Sequence, residues 1–207
     1  MPDNTFNIPN KYQYIILDLD DTLYDEKLYL YPAYKKIATS LSQKHSVNAT
    51  DIEHYLISEF EKGNRKNLFN KLCKQFQIPE LEIDKMLTIL RTIQLPKIEL
   101  FDKMKGLLDK LIGEKRNLFV ITNGNLEQQE NKVNSINWEG RDKDIQFVFA
   151  ANHKPKPDNG SYNYLASKSG IIANSAIYIG DTEVDAIFAK NCGIAFLNVA
   201  EILNHSA

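Results

Sequence analysis

Residues 14–19 (YIILDL) form a short apolar run rich in β-formers, the pattern of a buried strand. From about residue 28 to residue 95 the texture changes. Apolar positions recur three and four residues apart: Ile37 and Leu41; Ile52, Leu56 and Phe60; Leu68, Leu72 and Phe76; Ile83, Leu87 and Leu90. That spacing predicts helices. Pro79 and Pro96 punctuate the region, Gly63 offers a further break, and no strand is expected within it. After Pro96 short apolar runs and helical stretches alternate. The pattern predicts a helix over 101–112 with Gly113 in the C′ position, a strand over 117–121 and a polar helix over 126–136. A strand over 146–150, a helix over 160–168 stopped by Gly170, and a strand over 176–179 follow. A helix over 183–191, ended by Gly193, and a last strand over 194–199 complete the pattern.

Strands separated by helices of this length predict βαβ units and a parallel sheet with helices on both faces. The expected fold class is therefore α/β: a three-layer α/β/α Rossmann-like core with a parallel five-stranded sheet. Residues 1–23 and 97–207 are assigned to that core, and residues 24–96 to an inserted helical cap. A length of 207 residues suits a core domain with a modest insertion, and a 43% hydrophobic fraction can fill its interior without disulfides.

Composition narrows the function classes. A net charge of −2 without a long basic run argues against a nucleic-acid polymer as partner. The lysine-rich stretch 62–74 is interrupted at helical spacing and reads as a solvated helix face. No apolar run reaches the ~18 residues of a membrane span, and the N-terminus is polar, so a cytoplasmic protein, monomer or homodimer, is expected. Cys73 and Cys192 show no metal-binding or redox spacing and read as reduced thiols.

In open parallel sheets ligands bind beyond the carboxyl ends of the strands. Four of the five predicted strands run into polar residues there. The first ends in Asp18-Leu19-Asp20-Asp21-Thr22 and the second in Thr122-Asn123-Gly124. The third leads into His153-Lys154-Pro155-Lys156-Pro157, and the fourth ends in Gly180-Asp181-Thr182-Glu183-Val184-Asp185. Taken singly, each has a plain structural explanation: a turn, a surface lysine, an N-cap. Together they bring Asp18, Asp20 and Asp181 to one edge, where converging carboxylates repel unless a cation intervenes. An all-oxygen donor set favours Mg²⁺. Lys154 adds a positive charge, and Thr122 a hydroxyl. Such a set suits the holding and transfer of a phosphoryl group.

At these residues the sequence resembles the haloacid dehalogenase-like superfamily. The Asp-x-Asp-x-Thr motif is matched by Asp18, Asp20 and Thr22. The strand-ending Thr is matched by Thr122, the Lys-Pro-x-Pro motif by Lys154 to Pro157, and Gly-Asp-x-x-x-Asp by Gly180, Asp181 and Asp185. The likeness covers about residues 12–23 and 97–200, and the insertion resembles the family's helical C1 cap. It implies that Asp18 is a nucleophile forming an aspartyl-phosphate. Asp20 would protonate the leaving oxygen and then activate water. Mg²⁺ would be held by Asp18, the Asp20 backbone carbonyl and Asp181, with Asp185 orienting them. Thr122, Asn123 and Lys154 would bind the phosphoryl group of a small phosphorylated metabolite. Asp21 stands where many members have Gly, and Lys156 is a second lysine beside the motif's own.

Three rivals remain on the sequence. A phosphomutase of the same superfamily would share every core residue. A haloacid dehalogenase typically lacks the acid at position 20 and needs no metal. A catalytically idle binding protein has little use for crowded acids. Arg65 and His153 read as surface residues, and Tyr24, Tyr29, Tyr31 and Tyr34 as packing for the helical insertion.

Overall fold

A computed structural model of the chain describes residues 6–204. The elements run β1 (Tyr14–Leu17), α1 (Lys27–Ser42), α2 (Ala49–Glu61), α3 (Leu68–Phe76), α4 (Ile83–Thr92), β2 (Ile98–Glu99), α5 (Asp102–Gly113) and β3 (Asn117–Thr122). Then come α6 (Leu126–Ser135), β4 (Ile136–Asn137), β5 (Ile145–Phe149), α7 (Gly160–Ser169), β6 (Ala176–Gly180), α8 (Glu183–Cys192), β7 (Ala195–Asn198) and α9 (Val199–Leu203).

Five strands form a parallel sheet in the order β5-β3-β1-β6-β7. The apolar run that begins the pattern is the central strand. Ile15, Ile16 and Leu17 are fully buried, as a strand covered on both faces requires. Side chains alternate across the sheet. Ile16, Phe119, Ile121 and Tyr178 meet Tyr162 and Leu165 of α7 and Phe188 and Ala189 of α8 in one apolar cluster. Helices cover both faces. The chain steps outward from β1 through β3 to β5, then returns to place β6 and β7 on the other side of β1. The order therefore reverses at β1, and the carboxyl ends of β1, β3 and β6 open at that switch point.

The chain divides into two compact units, Met1–Glu26 with Lys97–Ala207, and Lys27–Pro96. The division falls after Glu26, where the sequence pattern places it after Leu23. In the second unit α1 packs on α2 and α4. Phe60 meets the rings of Tyr31 and Tyr34 edge-on, and Tyr29 donates its hydroxyl to the Leu90 carbonyl at 2.8 Å. The Arg65 guanidinium lies 4.5 Å from the centre of the Phe60 ring. Among the described residues no helix is long and apolar enough to cross a membrane.

Three local features depart from the sequence pattern. Gly113 is still inside α5, and Lys115 takes the left-handed conformation that ends the turn. A second, two-stranded parallel pair joins β2 to β4, Ile98 opposite Ile136. Both strands are too short to show a period in the sequence. At the base of the inserted segment, Phe101 N–H donates to the Leu23 carbonyl at 2.9 Å.

Candidate active site

β1 carries Asp18 to the sheet's carboxyl edge, and the chain then turns tightly. Asp21 sits at φ +52°, in the left-handed region that favours glycine and tolerates Asp or Asn. Its Oδ1 accepts the Glu26 N–H at 2.9 Å, which holds the turn closed. The conformation suits glycine, and the side-chain hydrogen bond is why aspartate serves there.

Oxygens of Asp18, Asp181 and Asp185 lie within 4.8 Å of one another. β1 and β6 are paired neighbours, so their ends bring Asp18 and Asp181 together without help from any loop. Asp185 reaches back from the first turn of α8. Thr182 caps that helix: its hydroxyl donates to Asp185 Oδ2 at 2.6 Å, and the Asp185 N–H donates to the same hydroxyl. Gly180 makes room for this. A Cβ there would stand 2.7 Å from Asp185 Cγ. The capping role that the sequence allows as the plain explanation is thus filled by Thr182, and it aims the Asp185 carboxylate.

The lysine beside these acids is Lys156 and not Lys154. Lys156 Nζ donates to Asp18 Oδ1 at 2.6 Å, to Asp185 Oδ1 at 2.7 Å and to the Tyr178 hydroxyl at 2.7 Å. All three of its protons are used. The Lys154 side chain is 76% exposed, and its ammonium stands 3.7 Å from Asp158. The Pro-rich loop offers two lysines, and its backbone turns the second one inward. Asn123 fixes that choice. Its Oδ1 accepts the Lys156 N–H at 2.8 Å and its Nδ2 donates to the Lys156 carbonyl at 2.9 Å. The Asn123 amide, assigned from the sequence to substrate, is therefore engaged at both ends by the Lys156 backbone.

Asp20 lies in a second cluster. Tyr24 donates its hydroxyl to Asp20 Oδ1 at 2.7 Å. Oδ2 accepts from Gln129 Nε2 at 3.0 Å and from Lys132 Nζ at 2.7 Å. Lys132 also reaches Glu26 Oε1 at 2.8 Å. Gln129 donates to the Thr122 hydroxyl at 2.5 Å as well. Gly124, at φ +130°, leaves the Gln129 side chain its path, since a Cβ there would come within 3.1 Å of it. Gln129, Lys132, Tyr24, Tyr178 and Glu26 were not singled out for this site from the sequence. One signal for two of them was present: α6 (LEQQENKVNS) has almost no apolar face, so a packed α6 must bury polar groups. Tyr24, counted from the sequence among the residues packing the insertion, gives its hydroxyl to this cluster. His153 stacks on Tyr164, their ring centres 4.2 Å apart.

The electrostatics follow the two clusters. Burial pushes the Asp18 carboxyl up to about 7, against the pull of Lys156 and helped by Asp185 and Asp20. Burial likewise pushes Asp181 up to about 6. Burial also works to raise Asp185, but Lys156 and the Thr182 bonds outweigh it and hold that carboxyl below the usual range. Lys156 is shared between two carboxylates, and Asp185, with its extra donors, keeps the larger benefit. Burial would raise Asp20 too, yet the charge and hydrogen bonds of Lys132, with Tyr24 and Gln129, bring it below the usual range. Asp18 and Asp181 are thus the two carboxyls whose charge the fold leaves poorly compensated. A hard divalent cation placed among these oxygens would supply the missing charge, and the donor set fits one.

A sequence profile of the family described as haloacid dehalogenase-like hydrolase matches residues 15–199. Solved structures share the fold at low identity. The presumed HAD-hydrolase YfnB of Bacillus subtilis, bound to magnesium, is 20% identical, with a TM-score of 0.59 over 89% of this chain and 85% of that one. A presumed phosphoglycolate phosphatase of Lactobacillus plantarum is 18% identical, with a TM-score of 0.60 over 95% of this chain and 92% of its own. A predicted phosphoglycolate phosphatase of Haemophilus somnus 129PT is 18% identical, with a TM-score of 0.61 over the same shares, 95% and 92%. A search of the curated proteins gives no match. With four fifths or more of the sequence under one family profile and its motifs gathered at one sheet edge, the chain belongs to the haloacid dehalogenase-like hydrolases.

Proposed function

We propose that the protein is a Mg²⁺-dependent phosphatase acting on a small phosphomonoester through an aspartyl-phosphate on Asp18. The observation that carries this reading is the placement of Asp18 within 4.8 Å of Asp181 and Asp185, with Lys156 on its Oδ1. A nucleophilic carboxylate facing a phosphate dianion needs positive charge on hand, and the site has a fixed ammonium and a place for a cation.

Asp18 and Asp181, with the Asp20 carbonyl, would hold the ion, and Asp185 would orient them through Lys156. When bound, Mg²⁺ supplies charge to neutralise the phosphoryl oxygens. Asp18 Oδ attacks phosphorus, the bond to the leaving oxygen breaks, and that oxygen takes a proton from Asp20. Asp20 is held as a carboxylate at rest, the form that accepts a proton from water in the second half-reaction. The approach of a phosphate dianion raises it and favours the protonated form needed in the first half. Water then attacks the acyl-phosphate, and inorganic phosphate leaves. Lys156 and Thr122 stabilise the phosphoryl oxygens, Lys156 replacing the Lys154 of the sequence assignment in this role. Residues 27–96 take the part of the family's helical cap.

Asp20 and the complete acid set disfavour the dehalogenase reading. The presumed phosphoglycolate phosphatases among the structural relatives make 2-phosphoglycolate one member of the panel to test. The test is phosphate release from p-nitrophenyl phosphate, sugar phosphates, nucleoside monophosphates and 2-phosphoglycolate, with Mg²⁺ or EDTA and with Asp18→Asn as blank. Metal-dependent release that vanishes in the variant supports the proposal. No release from any substrate by folded wild-type protein removes it.

A further inference from the structure

Of the groups buried at the carboxyl edge, Lys132 has no assigned part. Its side chain is 2% exposed, though it lies near the end of a helix with few apolar residues. A lysine is rarely so deeply buried without carboxylate partners. Lys132 reaches Asp20 and Glu26, at 2.7 and 2.8 Å. Gln129, one turn earlier on the same face of α6, shares the Asp20 Oδ2. Both Asp20 oxygens are therefore tied, Oδ1 by Tyr24 and Oδ2 by two residues of α6. The Asp20 side chain is still 19% exposed, so the carboxylate is fixed in place without being sealed off.

We infer that Lys132 and Gln129 are positioning residues: they hold the Asp20 carboxyl at the geometry from which it serves the leaving-group oxygen, and Glu26 anchors Lys132. The inference rests on the phosphatase reading and deepens it. A misplaced general acid costs most where the leaving group needs its proton. An alkoxide is a poor leaving group and depends on that proton, whereas p-nitrophenolate departs as a stable anion. A residue that only supports the fold, or only adds positive charge near the phosphoryl group, would affect both substrates alike.

The experiment compares kcat/KM for an alkyl phosphomonoester and for p-nitrophenyl phosphate in wild type, Lys132→Met and Gln129→Leu. This parameter covers steps up to the first phosphoryl transfer, so the later hydrolysis does not enter. The expected result is a fall for the alkyl substrate at least about tenfold larger than for p-nitrophenyl phosphate, in both variants. Parallel falls, or a relative gain for the alkyl substrate, overturn the inference while leaving the phosphatase reading intact. Wild-type protein that releases phosphate from neither substrate overturns both. If Lys132→Met unfolds because Asp20 and Glu26 lose their partner, the double variant Lys132→Met/Glu26→Gln removes the more deeply buried of the two orphaned charges. Gln129→Leu alters no charge and carries the same comparison by itself, with a thermal melt of each variant as the folding control.

Discussion

The Lys156 ammonium lies 2.6 Å from Asp18 Oδ1, although 138 residues separate the two in the chain. Lys154, two positions earlier, points to solvent. The proposal therefore separates the two lysines sharply. Lys154→Ala should leave kcat/KM within about twofold of wild type, as for a surface change. Lys156→Met should lower it by about 100-fold or more, the scale of removing one charge-stabilising donor. Steady-state kinetics on the best substrate of the panel checks both. Activity lost on removing Lys154 and kept on removing Lys156 would return the role to the first lysine.

Stability should respond to pH and metal together. Asp18 and Asp181 are raised in the folded protein, to about 7 and about 6, from an ordinary value of 3.8. Between about pH 4 and pH 7 the native state therefore holds protons that the unfolded chain has released. Their contribution is fully present below the unfolded value and is lost as pH rises through the folded one. Asp20 and Asp185 are lowered, so their stabilising contribution is present above the unfolded value, throughout this window, and is lost only as pH falls below it. In EDTA the melting temperature should fall from pH 5 to pH 7.5, less steeply in Asp18→Asn, and Mg²⁺ should flatten the wild-type curve. An identical slope in the variant would show that Asp18 is not the source.

Asn123 offers a kinetic distinction. Its amide holds the Lys156 backbone at both ends. Asn123→Ala should lower kcat by about tenfold with little change in KM, because it loosens a group acting in the transition state. A rise in KM at unchanged kcat would instead restore the direct substrate contact expected from the sequence.

Gly180 is constrained by space alone. A Cβ would stand 2.7 Å from Asp185 Cγ and 2.8 Å from its Oδ2. Gly180→Ala should destabilise the protein by about 1–3 kcal/mol, the usual cost of overpacking, and displace Asp185 from Lys156. Denaturant unfolding measures the first effect, and loss of phosphatase activity reports the second. Unchanged stability would mean that α8 moves away freely.

Much of this architecture was legible in advance because β-strands buried on both faces write themselves as apolar runs. All five sheet strands, and the acids at their ends, lie close to where the pattern puts them. Asp18 and Asp181 meet because neighbouring parallel strands end together, and Asp185 joins them from the first turn of α8. What the pattern hides is direction. Lys154 and Lys156 have the same side chain in the same loop, and only the Asn123 bracket decides which enters. The Asp20 cluster was hidden for another reason. Lys132 looks like an ordinary surface lysine unless one asks what the underside of an apolar-poor α6 can pack against. The pair β2–β4 is too short to carry any period.

The hydrogen bond from Phe101 N–H to the Leu23 carbonyl pins together the two points between which the chain departs and comes back. Closing an excursion costs entropy that grows only with the logarithm of its length, about 0.6 kcal/mol per doubling. For the sheet, then, the number of residues sent out between those two points is nearly immaterial. Such a doorway can tolerate exchange or rebuilding of the 27–96 segment over evolutionary time, while the reacting acids keep the register set by β1, β3 and β6.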